Sequence, residues 1–382
     1  MKFAHLGDCH LGSWRQPELK ELNFQCFKTA IRRCIDERVD FILIAGDLFD
    51  SAYPPIDILR DAFAEFKKLK DAGIPVFLIA GSHDYSASGK TFLDVLEKAG
   101  FCKNVSLFEE KEGKFILLPT IFKNVAIYGY PGKKSELEVE ELNNIKIHDS
   151  PGLFSILMLH TAIRDAVGTL PIKAVRHENL PKVNYIALGH LHIKYAKDNV
   201  VYSGPIFPNN LAELEELKAG SFCIFDHGHL RREELKLKDI LFKEIEIKNA
   251  LDATELILSS FKKEIVRDKI VILKVFGVLE KGKSTDIDFH KIENYLKNEG
   301  AYVFLKSTTK LLIQESEIKI DNLDYNNLEQ EAIKKFKEKN ISKFNLLIPE
   351  LLKVLNLEKM EDERSLIFEE RLLSEAKKVI KV

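Results

Sequence analysis

The stretch Phe41-Ile42-Leu43-Ile44-Ala45-Gly46-Asp47-Leu48-Phe49-Asp50 decides how the rest of the chain is read. Five consecutive apolar residues fit a strand buried on both faces, as in a sheet covered by helices. A glycine then turns the backbone, and two carboxylates follow. Working outward, the same grammar recurs. The strand Phe3 to Gly7 runs into Asp8-Cys9-His10, Val76-Phe77-Leu78-Ile79-Ala80 into Gly81-Ser82-His83-Asp84, Phe154 to Leu159 into His160, and Tyr185-Ile186-Ala187-Leu188 into Gly189-His190-Leu191-His192. The run Val125 to Tyr128 is a further strand of this kind. Strand ends of one sheet open on one crevice, so these groups are expected to converge although they are far apart in sequence. One Asp-x-His or one His after an apolar strand means little, because most such histidines are hydrogen-bonded core residues. The ordered set is specific: five of the 11 His residues follow apolar strands, and Gly7, Gly46, Gly81 and Gly189 sit just before four of the groups, where backbone must approach closely.

Between the strands, Phe24, Phe27, Ile31 and Ile35 recur at helical spacing, as do Leu59, Ala62, Phe63, Phe66 and Leu69 before the helix-ending Asp71-Ala72-Gly73-Ile74-Pro75. These stripes are core. The fold expected is α/β: a β-sandwich flanked by helices over residues 1–238, closing on a hairpin that turns at Asp226-His227-Gly228-His229. A small α+β module is expected over 239–314, with strands Lys243 to Ile247, Ile270 to Phe276 and Tyr302 to Leu305 and helices Ala253 to Glu264 and Asp288 to Lys297. Residues 315–326 read as a linker and 327–382 as an amphipathic helical region. Its stripe of Phe344, Leu347, Ile348, Leu351, Leu352 and Leu355 has too little chain around it to be buried there and suits a protein partner.

With 382 residues, 45% of them apolar, the chain can bury a full core, which excludes a disordered tail or a disulfide miniprotein. Its 57 Lys+Arg against 59 Asp+Glu exclude bulk basicity, so any nucleic-acid partner needs a local patch. No apolar run is long enough to span a bilayer. The opening Met1-Lys2-Phe3-Ala4-His5-Leu6-Gly7-Asp8 is unlike a signal peptide, so a cytoplasmic location is expected. Five scattered cysteines, Cys9, Cys26, Cys34, Cys102 and Cys223, point to reduced, mostly buried thiols, Cys9 filling space rather than acting as a nucleophile.

Mixed imidazole and carboxylate donors without thiolate suit Mn²⁺, Fe²⁺ or Zn²⁺, with Mn²⁺ the first choice. An Asp47 bridging two such ions would let them acidify a water and clamp a phosphoryl group, giving in-line phosphoester hydrolysis. The series Asp8-Cys9-His10, Gly46-Asp47-Leu48-Phe49-Asp50, Gly81-Ser82-His83-Asp84, His160, Gly189-His190-Leu191-His192 resembles the calcineurin-like metallophosphoesterases over about residues 1 to 235. The opening Met1 to Gly12 and Ala45 to Ser51 make it most similar to the archaeal meiotic recombination eleven branch, whose bacterial counterparts are called SbcD.

That resemblance implies two Mn²⁺ ions, one held by Asp8, His10, Asp47 and His192, the other by Asp47, His160, His190 and position 82. The family has Asn there and this chain has Ser82, a shorter and weaker ligand. His83 would be a non-ligand histidine that stabilises charge or protonates the leaving oxygen, with Asp50 orienting it. The resemblance further implies 3′ to 5′ exonuclease action on duplex DNA, endonuclease action on single strands, and a role in double-strand-break repair beside the nucleoid. The small module would cap the DNA, and a homodimer would form through helices near 56–72 and 89–99. The C-terminal helices would bind an SMC-like ABC ATPase. Trp14, Arg15, Ser86, Ser88 and Lys90 lie on loops expected to rim the crevice and grip DNA phosphates. Two other functions compete: a small-molecule or protein phosphoesterase, which would need neither module nor tail, and a DNA-end tethering scaffold in which Ser82 has weakened catalysis. His227 and His229, at a polar hairpin tip, and His5, His148, His177 and His290 are expected to lie outside the site.

Overall fold

The computed structural model describes all residues except 87–90, 112, 314–332, 335, 338–342, 361–364 and 381–382. The expected 315–326 linker and the candidate DNA contacts Ser88 and Lys90 therefore lie outside the described residues. Two compact units result, Met1–Leu312 and Ile313–Val382.

The first unit opens with β1 (Lys2–Leu6), α1 (Pro17–Asp36), β2 (Phe41–Ala45), α2 (Ile56–Asp71), β3 (Val76–Ile79), α3 (Phe92–Lys98) and β4 (Lys103–Asn104). There follow β5 (Phe108–Lys111), β6 (Lys114–Leu117), β7 (Thr120–Phe122), β8 (Val125–Tyr130), α4 (Glu138–Leu142), β9 (Ile145–Ile147), β10 (Phe154–His160) and α5 (Arg164–Val167). The sandwich closes with β11 (Tyr185–Gly189), β12 (Tyr195–Lys197), β13 (Val200–Tyr202), α6 (Leu211–Leu217), β14 (Gly220–Asp226) and β15 (His229–Leu235). Last come β16 (Ile240–Glu246), α7 (Ala250–Phe261), β17 (Ile270–Leu279), α8 (Phe289–Asn298) and β18 (Val303–Ile313).

Two six-stranded sheets, ordered β15-β14-β1-β2-β3-β4 and β12-β13-β11-β10-β8-β7, form the expected sandwich. Period-2 alternation explains how each strand serves two cores. Phe3, Phe41 and Leu43 of the first sheet meet Ile127, Ile156, Met158 and Tyr185 of the second between the sheets. Their neighbours Ala4, Leu6, Ile42 and Ile44 point outward onto Phe27, Ile31, Leu59 and Phe66 of α1 and α2. Phe3 stacks on Phe41 at 5.0 Å and on Phe225 at 4.9 Å and meets Tyr185 edge-on, so truncating it would cost about 3–5 kcal/mol. β1, β2 and β3 run parallel, as do β8, β10 and β11, so both sheets present C-terminal strand ends on the same edge of the sandwich.

The strands β16, β17 and β18 form their own sheet. Ile270, Ile272, Val303 and Leu305 on one face join the apolar cluster of α1, while Val271, Leu273 and Val275 on the other pack with Ile257 and Phe261 of α7 and Ile292 and Leu296 of α8. The Tyr302 hydroxyl donates to the Glu18 carbonyl at 3.0 Å. β18 runs to Ile313 rather than ending at Leu305, passing through the polar run Lys306 to Lys310 into Leu311, Leu312 and Ile313. α7 starts at Ala250 because Asn249 caps it, accepting from Leu251 N at 3.1 Å.

All five cysteines are free and only Cys102 is not buried. No helix among the described residues is long and apolar enough to cross a membrane. In the second unit, helices Ile348–Leu355 and Ser365–Ile380 pack on each other. Leu347, Ile348, Leu351 and Leu352 are half-buried and Leu355 is exposed, while the side chain of Phe344 lies outside the described residues.

Candidate metal centre

Five of the seven ligand candidates, Asp8, His10, Asp47, His190 and His192, have φ between +42° and +96°. Non-glycine residues seldom adopt this left-handed region, and the concentration of strain at the strand ends turns these side chains into one crevice. His160 needs no such turn. As the last residue of β10 it continues the row of Ile156 and Met158 on the inter-sheet side. Glycine is required around it: a Cβ on Gly46, Gly132 or Gly189 would collide with its ring, and Gly46 is itself at φ +82°.

Asp8 ties the sheets together, its Oδ1 accepting the His190 main-chain N–H at 2.8 Å. Asp47 is the centre of the arrangement. Its Oδ1 accepts the His83 N–H at 2.8 Å, leaving Oδ2 at 3.2 Å from His160 Nε2, 3.6 Å from His10 Nε2 and 3.5 Å from the Ser82 hydroxyl. Ligand atoms of Asp8, His10 and His192 lie within 4.8 Å of one another, as do those of Asp8, Asp47 and His160, and of His10, Asp50 and His83. The His190 ring lies 5.2 Å from that of His160. Asp47, Ser82, His83, His190 and His192 line a cavity of about 360 Å³.

The donor set fits divalent cations. His10 Nε2 and His192 Nε2 face each other at 3.0 Å. His192 Nδ1 is 3.0 Å from the Glu213 carboxylate, which only accepts, whereas His10 Nδ1, 3.2 Å from Asp50 Oδ1, makes no hydrogen bond among the described residues. With its proton drawn to Nδ1 by Glu213, His192 turns a bare Nε2 lone pair toward the site, the donor that a cation takes. His160 Nε2 is likewise buried without a hydrogen-bond partner, its Nδ1 sitting 2.9 Å from the Ala45 carbonyl. Burial opposes charge on Asp47, but His160, His10 and His83 hold its carboxyl well below the usual range. Burial also opposes charge on His160, yet Asp47 and Asp8 push it up to about 10. Burial and the His160 charge bring His190 down to about 4. Burial and the charges of Asp8, Asp84 and Asp47 push the Cys9 thiol far up, so Cys9 is no nucleophile.

His83 Nδ1 meets the main-chain carbonyl of Asp50 at 2.9 Å, whereas the Asp50 carboxylate stands 3.9 Å away and leans toward His10. The expected orientation of His83 by Asp50 thus runs through the backbone. Among the candidate DNA contacts, Arg15 is exposed, Trp14 donates its indole N–H to the Pro208 carbonyl at 2.9 Å, and Ser86 is buried with its hydroxyl 3.0 Å from that of Tyr53.

Two residues outside the sequence reading of the site support it. Asp84, buried, accepts from Leu48 N, Phe49 N and Gly81 N, each at 3.1 Å, and so clamps the Asp47 and Ser82 loops together. Burial and the Asp47 charge push its carboxyl up to about 7 against those bonds. Glu213 holds His192. The capping pattern Asn210-Leu211-Ala212-Glu213 marks a helix start but gives no hint of a partner 21 residues back.

The chain is 28% identical over 317 residues to the DNA double-strand break repair protein Mre11 of Methanosarcina mazei, covering 79% of this chain and 49% of that one. It is 26% identical over 309 residues to the Mre11 protein of Methanocaldococcus jannaschii, covering 78% of each. It is 28% identical over 275 residues to the uncharacterized metallophosphoesterase YhaO of Bacillus subtilis, covering 67% of this chain and 64% of that one. The chain spans about half the length of the two Methanosarcina relatives it matches. The family described as calcineurin-like phosphoesterase matches residues 1–194, the part that carries all seven candidate ligands, and the chain belongs to that family.

Proposed function

We propose that this phosphoesterase is a manganese-dependent DNA nuclease of double-strand-break repair, digesting duplex ends from 3′ to 5′ and cutting single strands internally. The observation that carries the reading is the extent of similarity to archaeal proteins named for that repair. It runs over 309 to 317 residues, well past the phosphoesterase portion and into the β16–β18 module. In this reading Asp8, His10, Asp47 and His192 hold one ion and Asp47, His160, His190 and Ser82 the other. When bound, the ion pair supplies an acidified water and clamps the phosphoryl oxygens. His83, half-exposed at the cavity wall and oriented through Nδ1, presents Nε2 to the leaving oxygen and protonates it. Asp50 stands beside His10, and Arg15 together with Trp14 borders the DNA path.

Residues 1–238 form the nuclease domain, 239–314 a DNA-capping domain and 327–382 a region that binds an SMC-like ABC ATPase. Exposed Leu346, Leu355 and Leu373 of the second unit supply apolar surface for that partner. Exposed Tyr53, Ile56 and Val95, beside and within α2 and α3, suit a homodimer contact, and the complex would work in the cytoplasm on the nucleoid. The test is end-labelled duplex DNA incubated with Mn²⁺, beside bis-p-nitrophenyl phosphate. Loss of 3′ nucleotides is expected. Hydrolysis of the small ester with intact DNA would replace the reading by a small-molecule phosphoesterase, and bridging of DNA without hydrolysis of either by a tethering scaffold.

A further inference from the structure

Helix α6 lies along the crevice, where Glu213, Glu216 and Leu217 line the same cavity as His190 and His192. Its core anchorage is slight, since Leu214 is its one fully buried side chain. Polar ties set its position instead. Glu213 binds His192 Nδ1 at 3.0 Å while its other oxygen accepts Asn209 N at 2.7 Å, so the carboxylate is fixed before it meets the ring. At the other end the Leu217 carbonyl accepts from Lys194 Nζ at 3.2 Å, two residues past His192. Between these ties Glu215 forms an ion pair with Lys274 of β17, whose ammonium also lies over the Phe242 ring of β16 at 5.1 Å. One short helix therefore touches both a candidate metal ligand and the β16–β18 sheet.

We propose that Glu213 is a positioning residue for His192, and that α6, through Glu215 and Lys274, couples ion binding at the metal centre to docking of the β16–β18 sheet. A carboxylate on Nδ1 fixes the tautomer that leaves Nε2 free for an ion and stops the ring from turning. Because α6 is pinned at three points, displacing the sheet shifts Glu213 and with it His192. By linkage an ion at His192 in turn favours the docked sheet. The proposal rests on His192 being a ligand and is independent of the substrate.

The experiment is calorimetric titration of the chelator-stripped full chain with MnCl₂, with melting in chelator as the control for folding. Two ions are expected for the unaltered chain, and His192→Ala should lose or strongly weaken one of them. If His192→Ala binds both ions as before, the ligand assignment itself fails. Given that ligand, Glu213→Ala should weaken one ion about 10- to 100-fold and Glu213→Gln less. Lys274→Glu should weaken the same ion about fivefold, and the exchanged pair Glu215→Lys with Lys274→Glu should restore it, which a purely structural role would not. Should Glu213→Ala not fold, Glu213→Gln and Lys274→Glu carry the test. Folded Glu213 variants with both affinities unchanged, or a Lys274→Glu chain that binds Mn²⁺ normally, would overturn the proposal.

Discussion

His83 Nδ1 lies 2.9 Å from the main-chain carbonyl of Asp50, while the carboxylate of that same residue is 3.2 Å from His10 Nδ1. The backbone of one residue thus holds the exposed imidazole, while its carboxylate stands beside the buried one without a hydrogen bond to it. The roles separate on mutation. His83→Ala should lower hydrolysis about 10²- to 10⁴-fold while both Mn²⁺ ions still bind. Asp50→Asn keeps the carbonyl that holds His83, so its loss should come through His10, as Mn²⁺ affinity weakened about tenfold. Steady-state rates beside Mn²⁺ titrations check both, and loss of an ion in His83→Ala would make His83 a ligand.

The Ser82 hydroxyl sits 3.5 Å from Asp47 Oδ2, at a position where the longer amide of asparagine extends further into the cavity. An amide oxygen is also the better neutral donor. Ser82→Asn is therefore expected to tighten the weaker of the two Mn²⁺ sites about tenfold and to raise activity chiefly at limiting Mn²⁺. Equal affinities in the two proteins would mean that position 82 does not reach the ion.

Asp84 shows the opposite economy, a buried carboxylate whose job is structural. Three main-chain N–H groups from the Asp47 and Ser82 loops converge on it. Asp84→Ala strands them without water, a loss of about 3 kcal/mol or more. Chemical denaturation in chelator should show this loss even though no proposed ligand has been removed.

The strand ends were legible because chemistry and pattern coincide there. Apolar runs mark β1, β2, β3, β10 and β11, and the polar residues that break them are ligand types. The parity of β10 even places His160 on the inter-sheet side. Other features leave no local trace. The left-handed φ of Asp8, His10, Asp47, His190 and His192 is imposed by the tertiary fold, not by propensity. Glu213 sits in a helix too short for a periodic signal, and its partner is fixed by packing. Asp84 stands in the quoted motif, but only the folded loops reveal that it accepts three backbone hydrogens. The polar half of β18 looks like loop until its pairing is seen.

Away from the metal centre, His5 gives a pH-dependent prediction. Its ring is fully buried between the sheets, Nδ1 3.1 Å from the Tyr185 hydroxyl and Nε2 without a hydrogen-bond partner among the described residues. Burial above all, aided by the Arg232 charge and opposed by a backbone bond near Leu188, lowers its pKa from 6.5 to about 3. The unfolded chain therefore takes up a proton as pH falls through 6.5, whereas the folded chain does so only near 3. Between those values the unfolded state binds more protons, so the stability from a neutral His5 is complete above the window and drains away as pH falls through it. One proton amounts to about 1.4 kcal/mol per pH unit; His190, lowered to about 4, acts with the same sign and Asp84, raised to about 7, with the opposite one, so the His5 part is read from the difference between two proteins. Urea denaturation in chelator from pH 7.5 down to about 4.5, run on the unaltered chain and on His5→Gln, isolates this slope. His5→Gln, which does not titrate, should be less stable at pH 7.5 yet lose less on acidification, by about one proton. Parallel curves for the two proteins would mean that the His5 ring takes up its proton at the same pH in the folded and unfolded states.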